Sequence, residues 1–430
     1  MNLETTNKDG KDATTSTLPE SLSLPRKMKD EILIIGSGII GLATAYQLQQ
    51  LFPHFKISIL EKEERSGMHQ SSRNSGVIHS GVYYKPGSLK AQNCIEGRAA
   101  LLEFCRDNGI TLEKLGKVII ATEERELSYL LELEKRGQTN GVPGLKRISK
   151  SQLNEIEPHV NGIEALWIPE CYSIRFQDVV DQLLRLFKKK GGEILFGEKV
   201  ESIVTEKDRV IVETQNSLHT ASFLINCAGL HSDRIASLVL DKTQLPFQII
   251  PFRGEYWELI ASKRDLVKGL IYPVPDPNFP FLGVHLSRMV DGKVVAGPNA
   301  VLALAREGYK KSQVNLQDCL QYLCYPGFWK MAGRYWNVGW EEMQRSLSKR
   351  AFVKQVQRLL PQVEEKDFIK GDAGVRAQVV KRDGTMLDDF AIVQKHNTLH
   401  VLNAPSPAAT SCLSIAKFIC KKVALIYTPE

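Results

Sequence analysis

With 430 residues, 43% hydrophobic and 24% charged, the chain has ordinary globular composition and material for two or three domains. Its net charge of +7, from 56 Lys+Arg against 49 Asp+Glu, is too dilute to mark a nucleic-acid binder; it suits anionic substrates or weak contact with an acidic membrane and requires neither. The eight cysteines form no CxxC pair or zinc-like array, so no metal site is expected, and their apolar settings point to buried thiols in a reducing, cytoplasmic compartment.

Residues 1–29 are rich in Thr, Ser, Lys and Asp and are expected to form a disordered tail, because they cannot bury enough apolar surface to offset ordering. Glu4, Asp9, Asp12 and Glu20 argue against a transit peptide. The uncharged stretch Ile32–Leu51 is long enough to be mistaken for a membrane span, but its three glycines and Gln47, Gln49 and Gln50 fit a strand and a helix better. Ile32–Ile35 reads as a buried strand, Leu42–Leu51 as a helix and Phe55–Leu60 as a second strand. Between the first two lies Gly36-Ser-Gly38-Ile39-Ile-Gly41. Gly36 makes the tight turn, Gly38 admits a pyrophosphate, and Gly41 lets helix and strand pack closely. Free N–H groups and the positive dipole end at the helix start favour the phosphates. Glu61 follows Gly41 by twenty residues, where an acid accepts hydrogen bonds from ribose hydroxyls. The pattern is a dinucleotide-binding βαβ unit, open between NAD and FAD.

The run from Ser71 to Gly81 is small and polar with Val77-Ile78 inside it, so it reads either as a solvated loop or as a segment wrapping the rest of a large cofactor. Glu96–Asn108 is expected to be a helix ending at Gly109. Ala221–Gly229 is a strand ending in a small-residue turn, Pro251–Glu258 and Val294–Gly297 are strand pieces, and a helix follows Cys412 with Ser406 or Thr410 as cap. No internal repeat is visible.

Several segments in order along residues 31–425 resemble the D-amino-acid-oxidase-type FAD-dependent oxidoreductases, and within them the L-2-hydroxyglutarate dehydrogenases/oxidases. They are Ser72–Tyr84, Pro251–Tyr256, Tyr272–Pro277, Phe281–His285, Gly297–Val301, Arg306–Tyr309, Gly374–Gln378 and Asn403–Thr410. The resemblance implies an α/β fold: a Rossmann-type FAD-binding domain (30–84, 150–245, 350–430) interleaved with a mixed-sheet α+β substrate domain (85–149, 246–349). It implies FAD as cofactor and oxidation of L-2-hydroxyglutarate, a small dicarboxylate, to 2-oxoglutarate. Electrons would pass to oxygen or to a quinone met by peripheral contact with an inner membrane. An amine- or amino-acid-oxidising relative and a non-enzymatic flavin-binding protein are the alternatives.

Such an oxidation needs a base for the hydroxyl proton, a cation for the α-carboxylate and polar groups for the distal one. His79, just after the presumed flavin loop, is the first choice of base, because small shifts bring its pKa to neutrality. His285 competes, as base or as a ligand of the distal carboxylate. Arg376, among small and apolar neighbours, is expected to hold the α-carboxylate bidentately. Arg253, Tyr256, Tyr83, Tyr84 and Asn299 are further substrate contacts. The cofactor is expected to touch Gly36, Gly38, Ile39, Gly41, Glu61 and Lys62, then Ser72, Arg73, Asn74, Ser75 and Gly76. Val200, Ala228 and Gly229 would line its nucleotide half. Ser406, Ala408, Ala409 and Thr410, at the start of the last helix, would direct a positive dipole end at the flavin ring.

Overall fold

Glu31–Ile35, Lys56–Glu61 and Phe223–Asn226 are short apolar runs buried on both faces, the signature of parallel pairing under helices. In the computed structural model, which describes residues 30–427 except 242, 244 and 277–281, they form the centre of a six-stranded sheet. Its order is 391–395, 398–403, 223–226, 31–35, 56–61, 193–196, parallel throughout except for the antiparallel edge strand 391–395. The expected tail, together with Pro277 and Phe281 of two family-like segments, lies outside the described residues.

Alternation along the first strand sends Ile32 and Ile34 to one face and Leu33 and Ile35 to the other. The first pair packs with Leu42 and Leu48 of helix Ile39–Leu51, Val179, Leu183 and Phe187 of helix Phe176–Lys189, and Ile415 and Ile419 of helix Cys412–Tyr427. The second pair meets Ile203, Val210 and Val212 of a small antiparallel sheet, 200–205, 210–214 and 218–221.

A nine-stranded mixed sheet forms the other half. Its order is 301–302, 247–259, 294–297, 285–288, 270–273, 117–121, 164–168, 146–149, with 368–381 paired along 247–259. One face packs on helix Lys349–Leu359 through Phe352, Val353 and Val356, the other on helix Leu127–Thr139 through Leu130 and Leu133.

The expected division is departed from in several places, helix Lys349–Leu359 on the nine-stranded sheet being one of them. Strands Glu164–Ile168 and Phe368–Lys381, expected on the nucleotide side, join the nine-stranded sheet. Helix Leu89–Asp107, expected on the substrate side, packs Leu101, Phe104 and Cys105 into the nucleotide core. Hydrophobic pattern fixes that an element is buried, whereas its partner is set by long-range pairing that local sequence does not record. The same helix begins seven residues before the expected Glu96, because Ser88 caps it: its Oγ accepts from Ala91 N at 3.2 Å. None of the eight cysteines is in a disulfide; six are buried, Cys319 is half-buried and Cys324 exposed.

Helix Leu89–Asp107 reaches the start of the last helix only because position 97 is glycine. An added Cβ would lie 2.6 Å from Ser411 Cα and 2.8 Å from Ser414 Oγ. Gly97→Val is therefore expected to cost about 1–3 kcal/mol through overpacking, read as a lower Tm in a thermal melt of the FAD-loaded protein.

Candidate active site

Helix Ile39–Leu51 starts at Gly38, which offers no capping side chain, and has no acid in its first turn; Ser71 Oγ takes the Ile39 N–H and no carboxylate offsets the positive end. The turn before it admits no side chain. Gly36 has φ +99°, and an added Cβ would lie 2.6 Å from the Cys227 carbonyl oxygen. At Gly41 an added Cβ would lie 2.0 Å from the Gly36 carbonyl oxygen. Glu61 fixes the turn from the second strand: its Oε2 accepts from Ser37 N and Ser37 Oγ, both at 2.8 Å, and its Oε1 from Glu63 N at 3.0 Å. A carboxylate offers about four acceptor sites, so capacity remains for a ribose hydroxyl.

This cradle opens into one cavity of about 1490 Å³, larger than a drug-sized pocket and long enough in its lining to join both halves of the protein. Its walls take Gly36, Gly38, Ile39, Glu61, Lys62, Val200, Ala228 and Gly229 from the nucleotide fold, Arg73, Asn74, Ser75, Ser406, Ala408, Ala409 and Thr410 from two loops, and also His79, Tyr83, Tyr84, Tyr256, His285 and Arg376. The helix's positive end, the glycine cradle and this continuous space fit a dinucleotide carrying a ring system at its far end. Gly41, Ser72 and Gly76 are not in the lining. Gly41 supports the turn from behind, Ser72 is exposed, and Gly76 (φ +62°) turns the loop against the Ile174 carbonyl.

The loop before the last helix does not use its hydroxyls as the expected caps. Thr410 Oγ1 accepts from His79 N at 3.1 Å, and Ser406 Oγ lies 3.4 Å from His79 Nε2. His79 is thereby tied to the segment that should meet the flavin. The His285 ring stacks on Tyr272, centroids 4.0 Å apart at 17°, and its Nδ1 lies 2.9 Å from the Gly283 carbonyl oxygen. That contact assigns the proton to Nδ1 and leaves Nε2 an acceptor. Burial pushes the His79 imidazole down to about 3, helped by Lys117, His285 and Lys90. Burial also takes His285 down to about 3 against the pull of the Gly283 carbonyl, with Lys117 and Arg376 adding to it. Both rings are neutral at pH 7, and the His79 shift is large and downward, away from neutrality, rather than the small one expected from sequence, because burial penalises the imidazolium. Burial raises the Tyr83, Tyr84 and Tyr256 phenols, which therefore remain donors.

Arg253 and Asn299 do not reach the cavity. Arg253 Nε pairs with Glu255 Oε1 at 3.1 Å; Asn299 accepts from Glu255 N at 2.7 Å and donates to Glu255 Oε2 at 2.9 Å. They sit on the face of strand Phe247–Leu259 opposite Gly254 and Tyr256. Sequence reasoning gave no individual role to Ser71, whose Oγ accepts from Ile39 N at 2.9 Å, to Tyr272, which lines the cavity against His285, or to Lys117, packed against Tyr272. Glu63, His69 and Glu307 come close enough to suggest a metal, but the Lys62 ammonium already bonds Glu63 and, at 2.6 Å, Glu307.

A family model described as FAD dependent oxidoreductase (DAO) matches residues 31–422. The L-2-hydroxyglutarate dehydrogenase of Indibacter alkaliphilus is 48% identical over 394 residues, covering 92% of this chain and 98% of the relative. The Escherichia coli K12 enzyme of that name is 41% identical, covering 91% and 93%. The human mitochondrial one is 40% identical, covering 91% and 88%. Among solved structures, FAD-bound L-alpha-glycerophosphate oxidase of Mycoplasma pneumoniae superposes with TM-score 0.75 at 23% identity, covering 93% of this chain and 96% of that one. Glycine oxidase of Geobacillus kaustophilus gives 0.68 at 16%, covering 93% and 95%; at these identities the likeness is one of fold. The chain belongs to the DAO family of FAD-dependent oxidoreductases.

Proposed function

We propose that this enzyme oxidises L-2-hydroxyglutarate to 2-oxoglutarate. The observation that carries the reading is the meeting of two neutral histidines and Arg376 in the wall of the nucleotide cavity, in a chain so similar to proteins named for that reaction. FAD, when bound, supplies the hydride acceptor. Arg376 holds the α-carboxylate through its planar guanidinium. His79 takes the hydroxyl proton, and its anchoring by Thr410 keeps the ring at the boundary of the cofactor loop and substrate space. His285, fixed by Tyr272 and Gly283, orients the substrate from the opposite wall.

Turnover with an artificial acceptor is expected to give a higher kcat/KM for L-2-hydroxyglutarate than for monocarboxylic hydroxy acids or amino acids; the reverse order would reject the reading. Within that assay His79→Ala should lower kcat by roughly 10²–10⁴-fold, and Arg376→Lys should raise KM with a smaller loss of kcat. The base must be unprotonated, so a depressed pKa moves the acidic limb downward. The unmodified enzyme should hold its kcat/KM from pH 8 to below pH 6, lower than an ordinary histidine allows. His285→Ala abolishing turnover while His79→Ala spares it would transfer the base to the other wall.

A surface feature supports a lipid membrane as partner and its quinone as electron acceptor. Helices Leu316–Leu323 and Trp336–Leu347 are amphipathic with the wrong face outward. Asp318 and Glu342 are buried, with Glu341 the one exposed acid of the two helices, while Leu316 (76% exposed), Leu320, Leu323, Trp336 (67%), Trp340 and Leu347 face solvent. Exposed Lys310, Lys330 and Arg334 lie on the same stretch, as an anionic headgroup surface requires. Asn315 and Gln317, at the start of the first helix, border the cavity. No described helix is long and apolar enough to cross a membrane. The protein should therefore sediment with phosphatidylglycerol vesicles, and the double variant Trp336→Ser, Trp340→Ser should stay in the supernatant with unchanged turnover of a water-soluble acceptor. Unmodified protein left in the supernatant at low salt would contradict the docking face.

A further inference from the structure

Lys117 opens strand Lys117–Ala121 of the nine-stranded sheet and is 1% exposed. Its Nζ has no hydrogen-bond partner, and among the described residues it enters no ion pair. A buried amine without a counter-charge is costly. Burial pushes its amine down from the ordinary lysine value, against a weaker opposing pull from the Cys171 and Cys94 thiols, and two aromatic rings offset part of the cost but bring no counter-charge. Nζ lies 4.1 Å from the Tyr272 ring centroid and 5.5 Å from that of Tyr83. The Tyr272 ring also carries the His285 imidazole at 4.0 Å, and two groups that close cannot share one face, so Lys117 and His285 bracket Tyr272. Facing Lys117 from the neighbouring segments are Cys94 and Cys171, whose thiols burial pushes upward and keeps neutral. His79 and His285 are neutral, and the cations near them are Lys90 and Arg376.

A second orphan lies beside the first. The Tyr83 hydroxyl is buried without a partner, and Tyr83 lines the cavity. The Tyr83 hydroxyl is turned into the protein while the rest of Tyr83, with Tyr272, forms cavity wall, so the unpaired amine sits one ring behind that wall.

We propose that Lys117 determines specificity for a second carboxylate: the distal carboxylate of the substrate lies at the Tyr83–Tyr272 wall of the cavity, and the Lys117 ammonium, one ring behind, supplies its counter-charge. Lys117 touches neither substrate nor flavin; it is a positioning residue that acts through the field across Tyr83 and Tyr272. The inference rests on the dicarboxylate reading given above. A monocarboxylate of equal length makes the Arg376 contact and leaves Lys117 uncompensated, so the residue discriminates by charge rather than by size.

The test compares two keto acids with five carbons, 2-oxoglutarate and 2-oxopentanoate, binding to the FAD-loaded protein, read by perturbation of the flavin spectrum without turnover. Lys117→Met should weaken 2-oxoglutarate by about tenfold or more and leave 2-oxopentanoate within about twofold. Lys117→Arg should recover part of the difference. Equal weakening of both ligands, or of neither, overturns the proposal, because a packing role does not distinguish them. Should Lys117→Met fail to hold flavin, Lys117→Gln takes its place with the same expected split. Equal affinity of the unmodified protein for the two acids overturns it whatever the variants do. If neither acid binds the unmodified protein, the dicarboxylate reading itself fails and takes the inference with it. Undiminished 2-oxoglutarate binding by Lys117→Met overturns only the role of Lys117.

Discussion

The catalytic cavity depends on one close approach, that of Gly374 to the loop that follows the nucleotide fold. A Cβ at Gly374 would lie 2.3 Å from the Arg73 carbonyl oxygen. Gly374 belongs to the strand that pairs with Phe247–Leu259 over most of its length, and it faces Gly254 in that register. Because a glycine stands there, the edge of the nine-stranded sheet lies directly on the 71–76 loop. Arg376 and Tyr256, two residues beyond these glycines, are thereby carried into the nucleotide cavity. A side chain at position 374 would hold the two halves apart and divide that space.

A buried ion pair reinforces the junction. Arg306, 2% exposed, bonds both oxygens of Asp233, and its Nη1 also donates to the Leu230 carbonyl oxygen at 2.5 Å. Asp233 in turn accepts from Ile249 N at 2.9 Å. The turn beneath the nucleotide is thus tied both to the long strand and to the segment leading into the exposed helices. Removing either partner would strand a buried charge, which is why such a pair fixes geometry more than it adds stability.

The nucleotide half was legible in sequence because its chemistry is local. Gly36, Gly38 and Gly41 have fixed spacing, Glu61 ends the second strand, and the unbroken apolar run Ile32–Ile35 marks a buried strand. The substrate half was legible as residues more than as geometry. Reading Gly374–Gln378 and Ser72–Tyr84 identified Arg376, His79 and Tyr83, and all three line the cavity. Strand parity held a further signal. Arg253 and Tyr256 are three residues apart, so one extended strand cannot present both to the same face, and Arg253 turns to Glu255 instead. Lys117 carried no such mark. It opens an apolar strand and looks like a surface lysine until parallel pairing with Leu270 buries it behind Tyr272. Nor could composition reveal the inverted helices, since burial of Asp318 follows from its contact with Arg234 far away in the chain.

One cavity for hydroxy acid and flavin requires electrons to pass from one to the other without a carrier. Anaerobic mixing of the FAD-loaded protein with L-2-hydroxyglutarate tests that transfer most directly, with absorbance near 450 nm followed through a single turnover. One equivalent of L-2-hydroxyglutarate should bleach the flavin and leave one equivalent of 2-oxoglutarate, and the D-enantiomer should do neither. A flavin that stays oxidised with L-2-hydroxyglutarate but bleaches with an amino acid would contradict that transfer.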